Sequence, residues 1–173
     1  MNSSVLISNV IRFFVLILAQ VLILKNIDFG TYSPYFKVFV YPLFILMLPI
    51  RLPTWGAMLI ALLLGLMVDM FYDSAGLHAG ACVAAAFARP LAFRMFEPRG
   101  GYDINQNPNK NDLGASWFLQ YTAVLLAVFV ITFFLYETFL FKDFGLALVK
   151  AILSYVISFP VILVLVYIFN PKY

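Results

Sequence analysis

Apolar residues run through this chain in long blocks separated by short polar joints. A membrane-spanning helix needs roughly 20 mostly apolar residues, and six blocks approach or reach that length. They run from about Val5 to Leu24, Tyr35 to Leu48, Thr54 to Tyr72, Gly76 to Phe96, Trp117 to Leu140 and Gly145 to Phe169. The second is short, with Pro42 inside it and Pro49 and Pro53 closing it. It fits a tilted span or a partly re-entrant segment. The first lacks a positive leader region and a small-residue cleavage site, so it is expected to stay attached. The pattern predicts one all-α membrane domain over residues 1–173, a bundle of about six transmembrane helices.

One stretch breaks the pattern. Glu97 to Ser116 reads EPRGGYDINQNPNKNDLGAS, with the Gly, Pro, Asn and Asp clustering of a surface loop. It is too polar for lipid and too short to fold alone. Arg and Lys near the span ends set orientation. With both termini inside, Arg51, Arg94, Arg99, Lys110 and Lys172 face the cytoplasm, and Lys25, Lys37 and Lys142 face outward. The 97–116 loop is therefore expected to be cytoplasmic.

Composition narrows the class further. Of 173 residues, 64% are hydrophobic and 11% charged, whereas soluble domains are about 45–50% apolar and about 25% charged. The net charge of +3 comes from basic residues scattered through apolar sequence, which is no nucleic-acid footprint. A single cysteine, Cys82, excludes an intrachain disulfide, a Cys-based zinc site and an iron–sulfur cluster.

Ionisable groups at bilayer depth must snorkel, pair or line a cavity. Arg12 and Arg89 are expected to snorkel as anchors, or to meet a partner helix or a lipid phosphate. Pro90 predicts a kink beside Arg89, and a guanidinium can satisfy carbonyls that a kink frees. Asp69 and Asp73 lie one helical turn apart, and His78 opens the next span. The three are expected to meet. They make either a cation or proton site, or a capped helix hairpin in which Asp73 and Ser74 bond the next helix and Asp69 pairs with His78 or backbone amides. The capped hairpin is favoured, because no third strong ligand is visible. Glu137 and Lys150 flank the Lys142–Asp143 turn and are expected to pair.

Small residues suggest where helices touch. Gly76, Gly80, Ala84 and Ala88 share one helix face, and Gly56, Ala57, Ala61 and Gly65 supply small residues to the preceding helix. A tight hairpin follows. The first, fifth and sixth helices are bulky and can face lipid or a partner's helix. Tyr32, Tyr35, Trp55, Trp117 and Tyr173 fall at interfaces, where such rings anchor. No catalytic triad, phosphate-binding loop or His-Glu-x-x-His pattern is present. The protein is expected not to be an enzyme and to need no cofactor or metal.

A set of elements becomes specific through its order and spacing. Leu48-Pro49 closes the second block, Pro53 and Trp55 enter the third, and Gly65-Leu66 precedes Asp69. Gly76-Leu77-His78-Ala79 forms a turn, then come Arg89-Pro90, Pro98-Arg99 and Gly101-Tyr102. Upstream lie RFFVLILAQVLILKNI and Pro34-Tyr35. Over about the first hundred residues this resembles the family of the rod shape-determining protein MreD, in the form seen in Bacteroidetes-type bacteria. The last two blocks match in hydropathy alone. The resemblance implies a fold similar to the substrate-binding membrane subunit of energy-coupling vitamin transporters, set in the bacterial inner membrane. It implies a non-enzymatic scaffold of the lateral wall-elongation complex, required for rod cell shape. The implied partners are MreC, the MreB filament, the RodA glycosyltransferase and its class B penicillin-binding partner.

On this reading Gly65, Asp69, Asp73, Gly76, His78, Gly80, Ala84, Arg89 and Pro90 are candidate structural or partner-binding residues. Arg94, Arg99 and Lys110 are candidate cytoplasmic contacts to anionic lipid or filament components. The alternative is the vitamin-transporter subunit itself. It expects an Ala-rich first helix, whereas this one has Ala19 alone. A small channel ranks last, because no continuous polar face exists.

Overall fold

The computed structural model describes residues 3–26, 36–74, 76–103, 106–140 and 144–169. Among them the chain is all-helical. The elements are α1 (Ser3–Leu18), running into a π-helical turn at Ala19–Ile23 and a 3₁₀ turn at Leu24–Asn26, then α2 (Pro42–Leu46), α3 (Thr54–Tyr72), α4 (Leu77–Met95), α5 (Ala115–Leu140) and α6 (Phe144–Phe169). Three of these, α3, α5 and α6, are long and apolar enough to cross a membrane. Tyr32, Pro34, Tyr35, the Lys142–Asp143 turn, Lys172 and Tyr173 lie outside the described residues.

The α4 helix sits at the middle of the bundle. It packs on α3 and on α5, and α5 in turn carries α6. Its inward positions are Ala81, Cys82, Ala85, Ala86 and Ala92, all fully buried. Such short side chains let helix backbones approach closely, which is where association in lipid finds its van der Waals energy. Gly65 shows the limit. A Cβ at that position would overlap the backbone of Ala79 and the carbonyl carbon of His78. On the other side, a Cβ on Gly80 would fall 2.5 Å from Cε2 of Tyr136 on α5.

The second apolar block does not form a span. Residues 36–41 are non-helical, and α2 is a single turn of five residues opened by Pro42. Pro at the first helical position has no N–H to lose. From Phe39 to Leu48 this segment is buried throughout. Irregular backbone at membrane depth is tolerated only where protein surrounds it and supplies hydrogen bonds. Here side chains supply them from two sides. Gln20 Nε2 donates to the Val38 carbonyl (2.9 Å) and its Oε1 accepts from Val40 N (3.0 Å). Across the strap, Ser154 Oγ accepts from Lys37 N and Ser158 Oγ from Phe39 N, each at 2.9 Å. The two sides alternate residue by residue, as in an extended chain. In place of one continuous helix, the segment is thus a buried extended strap leading into a single helical turn.

The 97–116 loop folds back on itself and on the end of the bundle. Asn109 Oδ1 accepts from the amides of Asn111 and Asp112, and Asp112 Oδ2 accepts from Asn107 N. Trp117 Nε1 donates to the Phe96 carbonyl (2.7 Å), and the Tyr102 hydroxyl donates to that of Phe93 (2.8 Å). Burial raises the pKa of the Tyr102 phenol, against a smaller opposing effect of its hydrogen bond with Trp117.

Candidate functional site

Besides the polar groups along the strap, two buried polar centres lie at opposite ends of the α3–α4 hairpin. The first is Asp69. The α3 helix ends at Asp73, which adopts a left-handed conformation (φ 51°) that Asp tolerates better than most residues. Gly76 is also left-handed (φ 84°), and this tight turn brings the start of α4 back against the last turn of α3. The Asp69 carboxylate then caps α4. Its Oδ1 accepts from His78 N (3.1 Å) and its Oδ2 from Ala79 N (3.0 Å). His78 Nδ1 lies 3.0 Å from Oδ1, and Ser74 Oγ donates to the same oxygen. The first amides of a helix lack intrahelical acceptors, and a charge-assisted acceptor satisfies two of them. The His78 ring is 2% exposed and packs between Tyr72 and Phe133, each 4.9 Å away by centroid. Its Nε2 and the hydroxyl of nearby Tyr41 have no hydrogen-bond partner among the described residues.

Two expectations change here. Asp73 is exposed and stays out of the cluster, because its left-handed backbone ends the helix before its side chain can share the face of Asp69. Glu137 pairs with Lys37 (2.9 Å) rather than with Lys150. The buried strap delivers Lys37 to α5, and no reading of helix ends alone could place it there.

The second centre is Arg89, 3% exposed in a continuous α4 that runs through Pro90. It does not snorkel. Its Nη2 donates to the carbonyls of Leu48 and Pro49, and its Nε donates to the Tyr121 hydroxyl (3.2 Å). The Tyr121 hydroxyl donates to the Leu46 carbonyl (3.2 Å). The Leu46 carbonyl at the end of α2 lacks an intrahelical donor and takes the Tyr121 hydroxyl, while the guanidinium serves the carbonyls of the non-helical residues just beyond. An aromatic stack of Phe93, Trp117 and Tyr121 walls the site, with Arg89 over Phe93 at 5.3 Å.

The remaining candidates divide. Gly65, Gly80 and Asp69 are taken up in contacts between helices of this chain, and Gly76 forms the turn. Ala84 and Pro90 are partly exposed on α4. Arg94 and Arg99 are exposed. Lys110 is not. It is 6% exposed, and its Nζ lies 3.6 Å from the Tyr167 ring centroid on α6. The loop's own fold turns it inward, where the face of an aromatic ring attracts a cation.

Four residues escaped the sequence reading: Gln20, Tyr121, Ser154 and Ser158. Each had a signal. Gln20 is the lone amide in the apolar run Phe13–Leu24, and Ser154 and Ser158 are four apart on one face of an apolar helix. Isolated hydrogen-bonding side chains in such helices mark the points where something must be held. Compared with known proteins, the chain matches no family model, no curated sequence and no solved fold.

Proposed function

We propose that this protein is a non-enzymatic membrane scaffold, of the kind that resemblance to the MreD family implies for the wall-elongation complex. One observation carries the reading. Gln20, Asp69 and Arg89, the buried side chains with the richest hydrogen-bonding capacity, each bond backbone groups of their own chain, and their other contacts go to Tyr72, Ser74, His78 and Tyr121 of the same chain. A polar interior used in this way fixes a frame. It leaves binding to the outside, where α1 exposes Val10, Ile11, Phe14 and Leu18, the π-helical turn after it exposes Leu22, and α6 exposes Val149, Ile152, Val156 and Val164. Bulky apolar faces of this type suit the single transmembrane helix of an MreC-like partner, held by van der Waals packing. Arg94 and Arg99 suit anionic headgroups or a cytoplasmic component. The transporter-subunit alternative calls for a cavity lined by Asp69, His78 and Glu137. Asp69 and His78 are packed against each other, which favours the scaffold.

Purification in mild detergent, with identification of bound proteins, tests the proposal. MreC and wall-synthesis proteins are expected. Recovery of a pair of ATPases in their place overturns it.

A further inference from the structure

Around Asp69 most buried polar atoms have a partner. Both of its oxygens accept, from Ser74, from the His78 ring and from the first amides of α4. The Tyr72 hydroxyl accepts from Gln20 Nε2 and donates to the Gln20 carbonyl. Lys37 is held by Glu137. Two atoms stand apart. They are Nε2 of His78, on a residue 2% exposed, and the hydroxyl of Tyr41, on a residue 0% exposed. Their rings are neighbours, with centroids 5.9 Å apart and planes tilted by 52°. No hydrogen bond joins them, and neither has another partner among the described residues. Buried polar side-chain atoms are in the large majority paired, with protein or with ordered water.

The two atoms complement each other. A carboxylate oxygen only accepts, so the Asp69 contact places the imidazole proton on Nδ1. In the neutral ring Nε2 is then a bare acceptor, on the edge turned away from Asp69. The Tyr41 hydroxyl can donate and accept. Water donates to the one while accepting from the other. An anion would find no cation there, since Lys37 is turned to Glu137. A metal ion would need further ligands, and both Asp69 oxygens are engaged. The rest of the wall is aromatic, from Phe39, Phe129 and Phe133.

We propose that one internal water molecule is bound between the strap and α4, accepting from the Tyr41 hydroxyl and donating to His78 Nε2. Globular proteins hold about one buried water per 27 residues, each bridging groups of this kind. The Asp69–His78 pair then has two tasks. It caps α4, and by fixing the tautomer of His78 it makes the opposite edge of the ring an acceptor for the strap. Position 41 needs Tyr rather than Phe for the same reason. The site is independent of which proteins the scaffold holds.

The test uses the full-length protein in nanodiscs and needs no variant. Pulsed radiolysis in water carrying a heavy oxygen isotope activates bound water in place, which leaves its oxygen on the adjoining rings. Tyr41 should take up at least fivefold more label than Tyr121, which is equally buried but hydrogen-bonded on both sides, to Arg89 and to Leu46. Equal labelling of the two overturns the site, and a direct bond between Tyr41 and His78 would give that result. The second measurement is nitrogen NMR. His78 is the one histidine of the chain, so isotope-labelled histidine reports on it alone. Nδ1 should carry the proton, and Nε2 should be unprotonated and shifted by a hydrogen bond. A proton on Nε2, an unbonded Nε2, or a spectrum that a metal chelator changes each overturns the proposal. Tyr41→Phe should leave the Nδ1 proton in place and lower the label on His78 at least threefold. Unchanged label on His78 would mean that Tyr41 holds no water there.

Discussion

The guanidinium of Arg89 on α4 is hydrogen-bonded to the carbonyl of Leu48, forty-one residues earlier, inside a bundle where both are buried. This contact ties the end of the buried strap segment to the central helix. Leaving a buried acceptor without a donor costs about 1–3 kcal/mol, and Arg89 serves two carbonyls and a hydroxyl. Arg89→Leu is therefore expected to destabilise the fold by about 3 kcal/mol. Arg89→Lys should lose less, because an ammonium keeps the charge without the planar fork. Equilibrium unfolding in mild detergent, read by Trp117 fluorescence, measures both. Trp117 stacks on Tyr121 at 4.8 Å and so reports on this site.

Gly65 and Gly80 should answer substitution unequally. A methyl at Gly65 meets helix backbone, which cannot step aside. A methyl at Gly80 meets the edge of Tyr136, a half-exposed ring that can turn. Gly65→Ala is expected to cost about 2 kcal/mol or more, in the range of overpacked cores, and Gly80→Ala less than half of that. Gly80→Leu combined with Tyr136→Ala should recover stability relative to Gly80→Leu alone. Thermal unfolding of the four variants reads the order. No rescue by Tyr136→Ala would mean that Gly80 does not pack against α5.

Asp69→Ala removes the acceptor for two amides at the start of α4. Loss of an N-terminal cap costs about 0.5–2 kcal/mol. Hydrogen exchange at His78 and Ala79 should accelerate, while amides in the middle of α4 stay protected. Asp69→Asn keeps one acceptor oxygen and should lie between the two. Uniform acceleration along α4 would contradict a local capping role.

Ser154→Ala and Ser158→Ala each strand one amide of the strap, at Lys37 and Phe39. Each is expected to cost about 1–2 kcal/mol. Because both serve one short segment, the double variant should depart from additivity. By contrast Glu137→Gln, which removes a pair whose lysine is 42% exposed, should change stability by less than about 1 kcal/mol. Chemical denaturation of the set in one detergent compares them directly.

How much of this was legible beforehand depended on whether a residue's partner was local. The hairpin of α3 and α4 followed from Gly65, Gly76, Gly80 and the Ala run, since small residues in apolar helices have few other uses. The Asp69–His78 contact was readable because nine residues and a tight turn separate them. What failed was distant. Nothing near Arg89 in sequence announces Leu48, Pro49 or Tyr121, so an inward-facing guanidinium looked like one reaching for headgroups. Lys110 reads as a loop cation until the loop's own hydrogen bonds turn it under Tyr167. The second block was apolar enough to suggest a helix, yet Pro42 and the waiting acceptors on Gln20, Ser154 and Ser158 made irregular backbone affordable in the interior. Hydropathy measures side chains and is blind to where backbone groups find partners.

The strap also imposes an order on biogenesis. Ribosomes release residues 36–41 early, but two of their amides find acceptors on α6, made more than a hundred residues later. Until Ser158 has left the exit tunnel, that early segment cannot settle into a dry interior without orphaned donors. The strap is therefore completed backward, from α6, and a nascent chain stopped short of Ser154 carries its own centre unfinished.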